Sequence, residues 1–202
     1  MTSTGGYWEP LWAQGRRYRR LDDAETRLMT DHLGPGRRRL ALDIGTGDGT
    51  LACHLHHQLG YRTTGIDCSS NAISLAAAQD TGPAPGPVWK YTDITATDLT
   101  EHPDPAYALI TCRLVYRWMD DKRSIVNRVR RLLAPGGTFW VVTEIDSRRA
   151  STHPSRVSGS PPRRPTHSLW PGPSPVPPTS MYSAATPSTA EQRPIKYRMT
   201  VP

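Results

Sequence analysis

The segment Asp43-Ile44-Gly45-Thr46-Gly47-Asp48-Gly49 concentrates more chemistry than any other stretch of this chain. A glycine turn between a strand and a helix lets the backbone approach a ligand closely, because no Cβ stands in the way. The spacing is G-x-G-x-G, tighter than the G-x-G-x-x-G that cradles a pyrophosphate. Charge narrows the ligand further. A pyrophosphate would sit at the N-terminus of the following helix, where Asp43 before the loop and Asp48 within it repel an anion. Both carboxylates suit a ligand that carries an ammonium and a sulfonium.

Two downstream acids extend this reading. Asp67 closes a second apolar segment, 22 residues after Gly45. A carboxylate at such a strand end accepts hydrogen bonds from both ribose hydroxyls of a nucleotide cofactor. The competing role is a helix cap, which Ser69, Ser70 and Asn71 also suit. Asp93, in Tyr91-Thr92-Asp93-Ile94, could accept from an adenine amino group with Ile94 against the ring, but a turn or cap is the role favoured there. An adenosine cofactor with a cationic sulfur is S-adenosylmethionine, and electrostatics prefer it to a dinucleotide. No Ser/His/Asp set or carboxylate pair marks a catalytic base. His54 and His57 stand one helical turn apart with no third ligand nearby in sequence, so no metal site is expected. Arg16, Arg17, Arg19 and Arg20 read as a solvated face, and Trp8, Trp12 and Tyr18 as a cover for the pocket. Tyr116 and Trp118 suit packing or substrate contact equally.

The elements that must position these residues alternate. Leu21, Ala24, Leu28 and Leu33 recur at helical spacing, and Gly34-Pro35-Gly36 stops that helix. Leu40–Ile44 predicts a strand, and Leu51, Ala52, Leu55 and Leu59 a helical stripe. Further strands are predicted over Tyr61–Asp67, Val88–Ile94, Tyr107–Cys112 and Thr138–Ile145. Helices are predicted over Asn71–Gln79 and around Ile125–Leu133. Such alternation means a Rossmann-like, doubly wound, mostly parallel α/β sheet, with all strand C-termini on one ligand-binding rim.

Beyond residue 146 the pattern changes. Residues 147–202 hold 12 of the 20 prolines and few aliphatics, a composition that predicts a mostly disordered tail. Within it, Ile195, Tyr197, Met199 and Val201 alternate with polar residues, as in a short edge strand. The formal charge of +7 belongs largely to this tail. Residues 146–202 carry eight Lys/Arg against Asp146 and Glu191, which leaves 17 basic and 16 acidic residues, or +1, in 1–145. A near-neutral folded part disfavours a nucleic-acid partner. Cys53, Cys68 and Cys112 form no CxxC pair, which fits a reducing cytoplasm. No signal-like leader and no apolar run of about 18 residues is present, so no membrane association is expected.

The segments LALDIGTGDG, GIDCSSNAI, YTDIT, YALITCRLVYRWMDD and RLLAPGGTFWVV, in that order over residues 37–145, resemble the class I S-adenosylmethionine-dependent methyltransferases. The resemblance implies a cofactor set of Asp43, Gly45, Thr46, Gly47, Gly49, Asp67, Cys68, Asp93, Ile94 and Cys112. Asp67 falls on the ribose-binding acid and Asp93 on the adenine-side acid. The segment Cys112-Arg113-Leu114 falls beneath the methionine moiety, facing substrate. Residues 1–36 then form a helical lid, 37–146 the cofactor-binding core and 147–202 the tail. The fourth strand lacks the Asn/Asp-Pro-Pro-aromatic tetrapeptide of enzymes that methylate base or glutamine amino groups, which points to a small-molecule acceptor. The family's sheet continues after its fifth strand with a helix and two antiparallel strands, for which 147–190 offers no match. The expectation is therefore a sheet truncated after the fifth strand. Its bare edge would be covered by Ile195–Val201, by a second copy in a homodimer, or not at all. The alternatives to a methyltransferase acting by in-line transfer are a degenerate or truncated relative without turnover, and a dinucleotide oxidoreductase.

Overall fold

A computed structural model of the chain describes residues 4–96 and 105–143, and the backbone of residues 195–200. Two helices lead: α1 (Thr4–Ala13) and α2 (Asp23–Leu33). Asp22 caps α2 by accepting from the Glu25 amide at 2.8 Å, and Gly34 ends it with φ 62°. The alternating region then runs β1 (Leu40–Ile44), α3 (Thr50–Cys53), β2 (Arg62–Asp67), α4 (Ser70–Gln79), β3 (Val88–Tyr91), β4 (Tyr107–Arg113), α5 (Lys122–Leu132) and β5 (Leu133–Thr143). Ser69 and Asp121 cap α4 and α5 in the same way as Asp22 caps α2. A last strand, β6, covers Ile195–Thr200.

All pairs among β1 to β5 are parallel, and the sheet order is β3-β2-β1-β4-β5-β6. The chain winds outward from β1 to β3 and then returns to the other side of β1 at β4. That reversal opens a crevice outside the strand C-termini, where such sheets hold ligands. Buried residues alternate between the two faces, as strand geometry requires. Leu42, Ile44, Ile110, Phe139 and Val141 pack with Ile125, Val129 and Leu132 of α5. Ala41, Leu109, Trp140 and Val142 pack with Met29 of α2 and Leu51 of α3. Each fully buried Leu or Ile here contributes roughly 1.5–3 kcal/mol.

Three elements depart from the sequence reading. β3 ends at Tyr91, because pairing to β2 stops at Asp67↔Tyr91 and leaves Asp93 in a turn. The single helix expected after the glycine loop changes at His54 into a π-helical turn over His54–Gln58. β5 begins at Leu133 rather than Thr138, absorbing Pro135-Gly136-Gly137 through a register shift: Tyr107 pairs with Leu133, and Leu109 with Thr138.

The edge of β5 is not bare. β6 lies antiparallel to it, from Thr138↔Thr200 to Thr143↔Ile195. The sheet therefore does not stop at the fifth strand: of the three alternatives for that edge, the structure has the C-terminal segment pair with it. The expected disorder of the tail falls, apart from β6, outside the described residues, as do Ile145 and Val201. Among the described residues, no helix is long and apolar enough to cross a membrane.

Candidate functional site

The glycine loop crosses the rim between β1 and α3. Gly45, Gly47 and Gly49 all adopt left-handed conformations, with φ 67°, 58° and 79°, which other residues occupy only under strain. Space is limiting as well. A Cβ on Gly45 would collide with Val115, and one on Gly47 would lie 3.0 Å from the Trp12 ring. The loop uses its amides internally. Gly45 and Thr46 both donate to the Ile66 carbonyl, at 2.9 and 3.0 Å, and Gly49 donates to the Thr46 carbonyl at 3.0 Å. The Gly47 amide donates to Asp67 Oδ2 at 3.0 Å. Four donors that a pyrophosphate would require are thus already engaged. Asp48 plays a local part: its Oδ1 accepts from the amide and hydroxyl of Thr50, at 3.2 and 2.9 Å, where α3 begins.

The two strand-end acids are buried. Asp43 accepts from Thr46 Oγ1 at 2.7 Å and from Thr111 Oγ1 at 2.6 Å. Burial pushes its carboxyl up to about 6, against the pull of those two hydroxyls and the more distant Arg113. Asp67 accepts from Gly47 through one oxygen and from the Ser69 amide, at 3.0 Å, through the other. Burial raises its carboxyl too, opposed by the amides of Gly47, Ser69 and Cys68. A carboxylate offers about four acceptor sites, so Asp67 keeps capacity for a ligand beyond these amides. The cap that sequence set against Asp67 belongs instead to Ser69, which accepts from Ala72.

The remaining expected residues are placed less directly. Asp93 Oδ1 accepts from the amide and hydroxyl of Thr95, at 2.9 and 2.6 Å, which is the turn role favoured from sequence. Ile94 is buried in the core under α5. Cys68 is half-buried beside α1, its carbonyl facing Gly5 and its thiol pushed up to about 12, first by burial. Cys112 is fully buried in the core, which raises its thiol strongly. The next residue but one, Leu114, turns the chain over the rim with φ 62°, a conformation costing an L-residue about 1–2 kcal/mol.

A cover lies over the rim. Glu9 of α1 accepts from Ser70 Oγ at 2.6 Å and Asn71 Nδ2 at 2.7 Å, at the N-terminus of α4. The Ser69 hydroxyl, then that of Ser70 and the amides of Asn71, lower its carboxyl. Trp12 rests on Gly47, and Trp8, Tyr18 and Trp118 stack beside it, with ring centroids 5.1 Å apart for Trp12–Tyr18 and for Trp8–Trp118. Trp118 therefore joins the cover, with Arg117 over its ring at 4.7 Å. The sequence reading overlooked what roots this cover. Glu25, fully buried on α2, receives Arg113 Nε at 2.9 Å and a second guanidinium nitrogen at 3.1 Å. The same guanidinium donates to the carbonyls of Arg19 and Arg20 at 2.8 and 2.9 Å. One signal was present: Glu25 is an acid on the Leu21–Leu28 apolar stripe. A cavity of about 50 Å³ remains where Arg19, Arg20 and Arg113 face Asp43 and Thr46.

The histidines do not act together. His57 Nε2 meets Asp80 Oδ1 at 2.9 Å, whereas His54 Nε2 is buried without a hydrogen-bond partner.

Residues 42–139 match a family described as a methyltransferase domain. That match spans 98 of the chain's 202 residues and agrees with the resemblance to the class I S-adenosylmethionine-dependent methyltransferases. The chain is similar to the ubiquinone biosynthesis O-methyltransferase of Paracidovorax citrulli, 29% identical over 132 residues that cover 64% of this chain and 53% of that one. It is also 29% identical, over 116 residues, to an uncharacterized methyltransferase of Mycobacterium tuberculosis, covering 57% and 55% of the two chains. The chain spans about half the length of these curated relatives. Among solved structures, an S-adenosylmethionine-dependent methyltransferase from Mesorhizobium loti superposes with a TM-score of 0.51 at 25% identity, covering 60% and 52%. Phosphoethanolamine N-methyltransferase 2 of Haemonchus contortus, in complex with S-adenosyl-L-methionine, shares the fold with a TM-score of 0.55 at 20% identity, covering 68% of this chain and 32% of its own.

Proposed function

We propose that the chain binds S-adenosylmethionine above β1, β2 and β4 and transfers its methyl group to a small molecule. One observation carries this reading: Asp43 and Asp67 are buried around a glycine loop and, among the described residues, neither is hydrogen-bonded to a Lys or Arg. The cofactor supplies a methyl group already activated on a sulfonium, so the protein's task is alignment and exclusion of water. Asp67 accepts from the ribose hydroxyls through its remaining lone pairs. Asp43 braces the loop through Thr46 and lends negative potential beneath a cation. Gly45, Thr46, Gly47 and Gly49 supply a close-approach surface. Cys68, Asp93 and Ile94 flank the adenine, and Cys112 contributes backbone only. No side chain is assigned as a catalytic base.

Residues 1–36 act as the lid. The cavity beside Asp43 is far below the roughly 300–1,000 Å³ of ligand pockets. Trp12 rests on Gly47, so it must leave for a cofactor to reach the loop there. The tightly packed cover also favours a second reading, a domain that holds the cofactor or a partner without turnover. A calorimetric titration with S-adenosylmethionine, S-adenosylhomocysteine and NAD separates the readings. The first two should bind and NAD should not; NAD binding alone would overturn both. Release of S-adenosylhomocysteine during incubation with candidate phenols or amines then distinguishes turnover from binding.

A further inference from the structure

Away from the crevice, three side chains of different chemistry converge. Cys53 ends α3, His57 lies in the π-helical turn that follows, and Asp80 stands just past the end of α4. Their ligand atoms, Sγ, a ring nitrogen and a carboxylate oxygen, all lie within 4.8 Å of one another. We propose that Cys53, His57 and Asp80 form a binding site for a divalent transition ion of the zinc class, with its fourth position open to water.

The donor set argues for that class. Thiolate, imidazole and carboxylate together match a borderline-soft ion, whereas magnesium and calcium take oxygen alone. Size is compatible. Zinc–ligand distances of about 2.0–2.3 Å in a tetrahedron give ligand–ligand edges of about 3.3–3.7 Å. The 2.9 Å contact between His57 Nε2 and Asp80 Oδ1 need open only slightly to admit an ion. Access exists, since both side chains keep 13% of their surface exposed.

A hydrogen-bonded clasp between helix and loop would need only His57 and Asp80. A thiol adds little to such a clasp, being a weak donor, but adds much to a zinc site. The backbone is shaped around the imidazole as well. A Cβ on Gly82 would collide with the His57 ring, and the Gly82 amide donates to Asp80 Oδ1 at 3.3 Å, steadying that carboxylate. The π-helical turn begins directly after Cys53, and such turns recur at functional sites. The sequence hid this site because its oxygen ligand lies 23 residues beyond His57.

Cobalt(II) titration of the full chain, stripped of metal, tests the proposal. A thiolate-to-cobalt charge-transfer band should appear, and zinc should displace it while magnesium and calcium do not. Cys53→Ser should abolish the band, and Cys68→Ser should leave it intact. His57→Gln and Asp80→Asn should each weaken zinc binding by more than the roughly 10–100-fold that loss of an outer-shell partner costs. Alkylation of Cys53 in the unmodified chain, followed by mass spectrometry, needs no folded variant; zinc should slow it severalfold. Cobalt binding without the charge-transfer band, zinc affinity that survives Cys53→Ser, or alkylation indifferent to zinc would each overturn the site. None of these readouts involves methyl transfer.

Discussion

Carboxylates are buried in two regions of this protein, and their partners differ. Glu25 is locked by a two-pronged contact from Arg113, so its charge is answered within the fold. Asp43 and Asp67, at the rim, receive hydroxyls and backbone amides from the described residues. Hydrogen bonds of that kind orient an acid without cancelling its charge. Glu25 is therefore an anchor, and the rim acids leave a negative field that a cationic ligand can complete. The contrast underlies the proposal that the rim acids serve a ligand while Glu25 serves the fold.

The largest test breaks the anchor. Glu25→Ala strips the half-buried Arg113 of its carboxylate partner, and breaks of buried pairs cost about 3–5 kcal/mol. Urea unfolding should show a loss of that size; a loss below about 1 kcal/mol would put Glu25 on the same footing as an exposed pair. The rim acids should behave in the opposite sense. Asp43 has a carboxyl raised from its ordinary 3.8 to about 6, so the native state holds its proton more tightly than the unfolded chain does. Its contribution is fully present below about pH 4 and fades as pH rises through 6, by about 3 kcal/mol in all. Asp43→Asn should remove that decline from the pH–stability curve measured between pH 4 and 8. A curve unchanged by the substitution would mean that Asp43 is not the group that titrates.

Asp67→Ala sharpens the comparison on the ligand side. Loss of a hydrogen bond to a charged group should weaken S-adenosylmethionine binding by about 1.5–3 kcal/mol, with little change in the affinity for any metal ion. Equal affinities of the two proteins by calorimetry would confine Asp67 to bracing Gly47. The smallest effect is expected at Trp12. Trp12→Ala should speed cofactor association severalfold in stopped-flow measurements while melting stays nearly unchanged. An unaltered rate would show that the ring does not bar entry.

The parts of the fold set by local pattern could be read from sequence. The apolar runs of β1, β2 and β4, the glycine turn, the stop at Gly34 and the acids Asp43 and Asp67 all depend on neighbours within a few residues. The end of β3 depended on how far β2 could pair with it, which no window around Tyr91 records. Arg113 was placed on the substrate side of the rim, but its partner Glu25 lies 88 residues earlier. The π-helical turn left no signature in a stripe of leucines that suits an ordinary helix. β6 showed in its alternation, and pairing with β5 was one of the alternatives for the bare edge; the sheet decides among them.

The cover over the rim is rooted at one end and jointed at the other. Arg113 grips the carbonyls of Arg19 and Arg20, while Gly15, at φ 75°, has no neighbour within 4 Å of where a side chain would begin. If residues 1–36 act as the proposed lid, the joint between Gly15 and Arg19 is where α1 would turn, once Glu9 releases Ser70 and Asn71. Such lids move on the order of microseconds to milliseconds, and in many enzymes that motion, rather than chemistry, sets the turnover rate. Under the proposed function, stiffening this joint would act as a brake on product escape from a place far from any reacting atom.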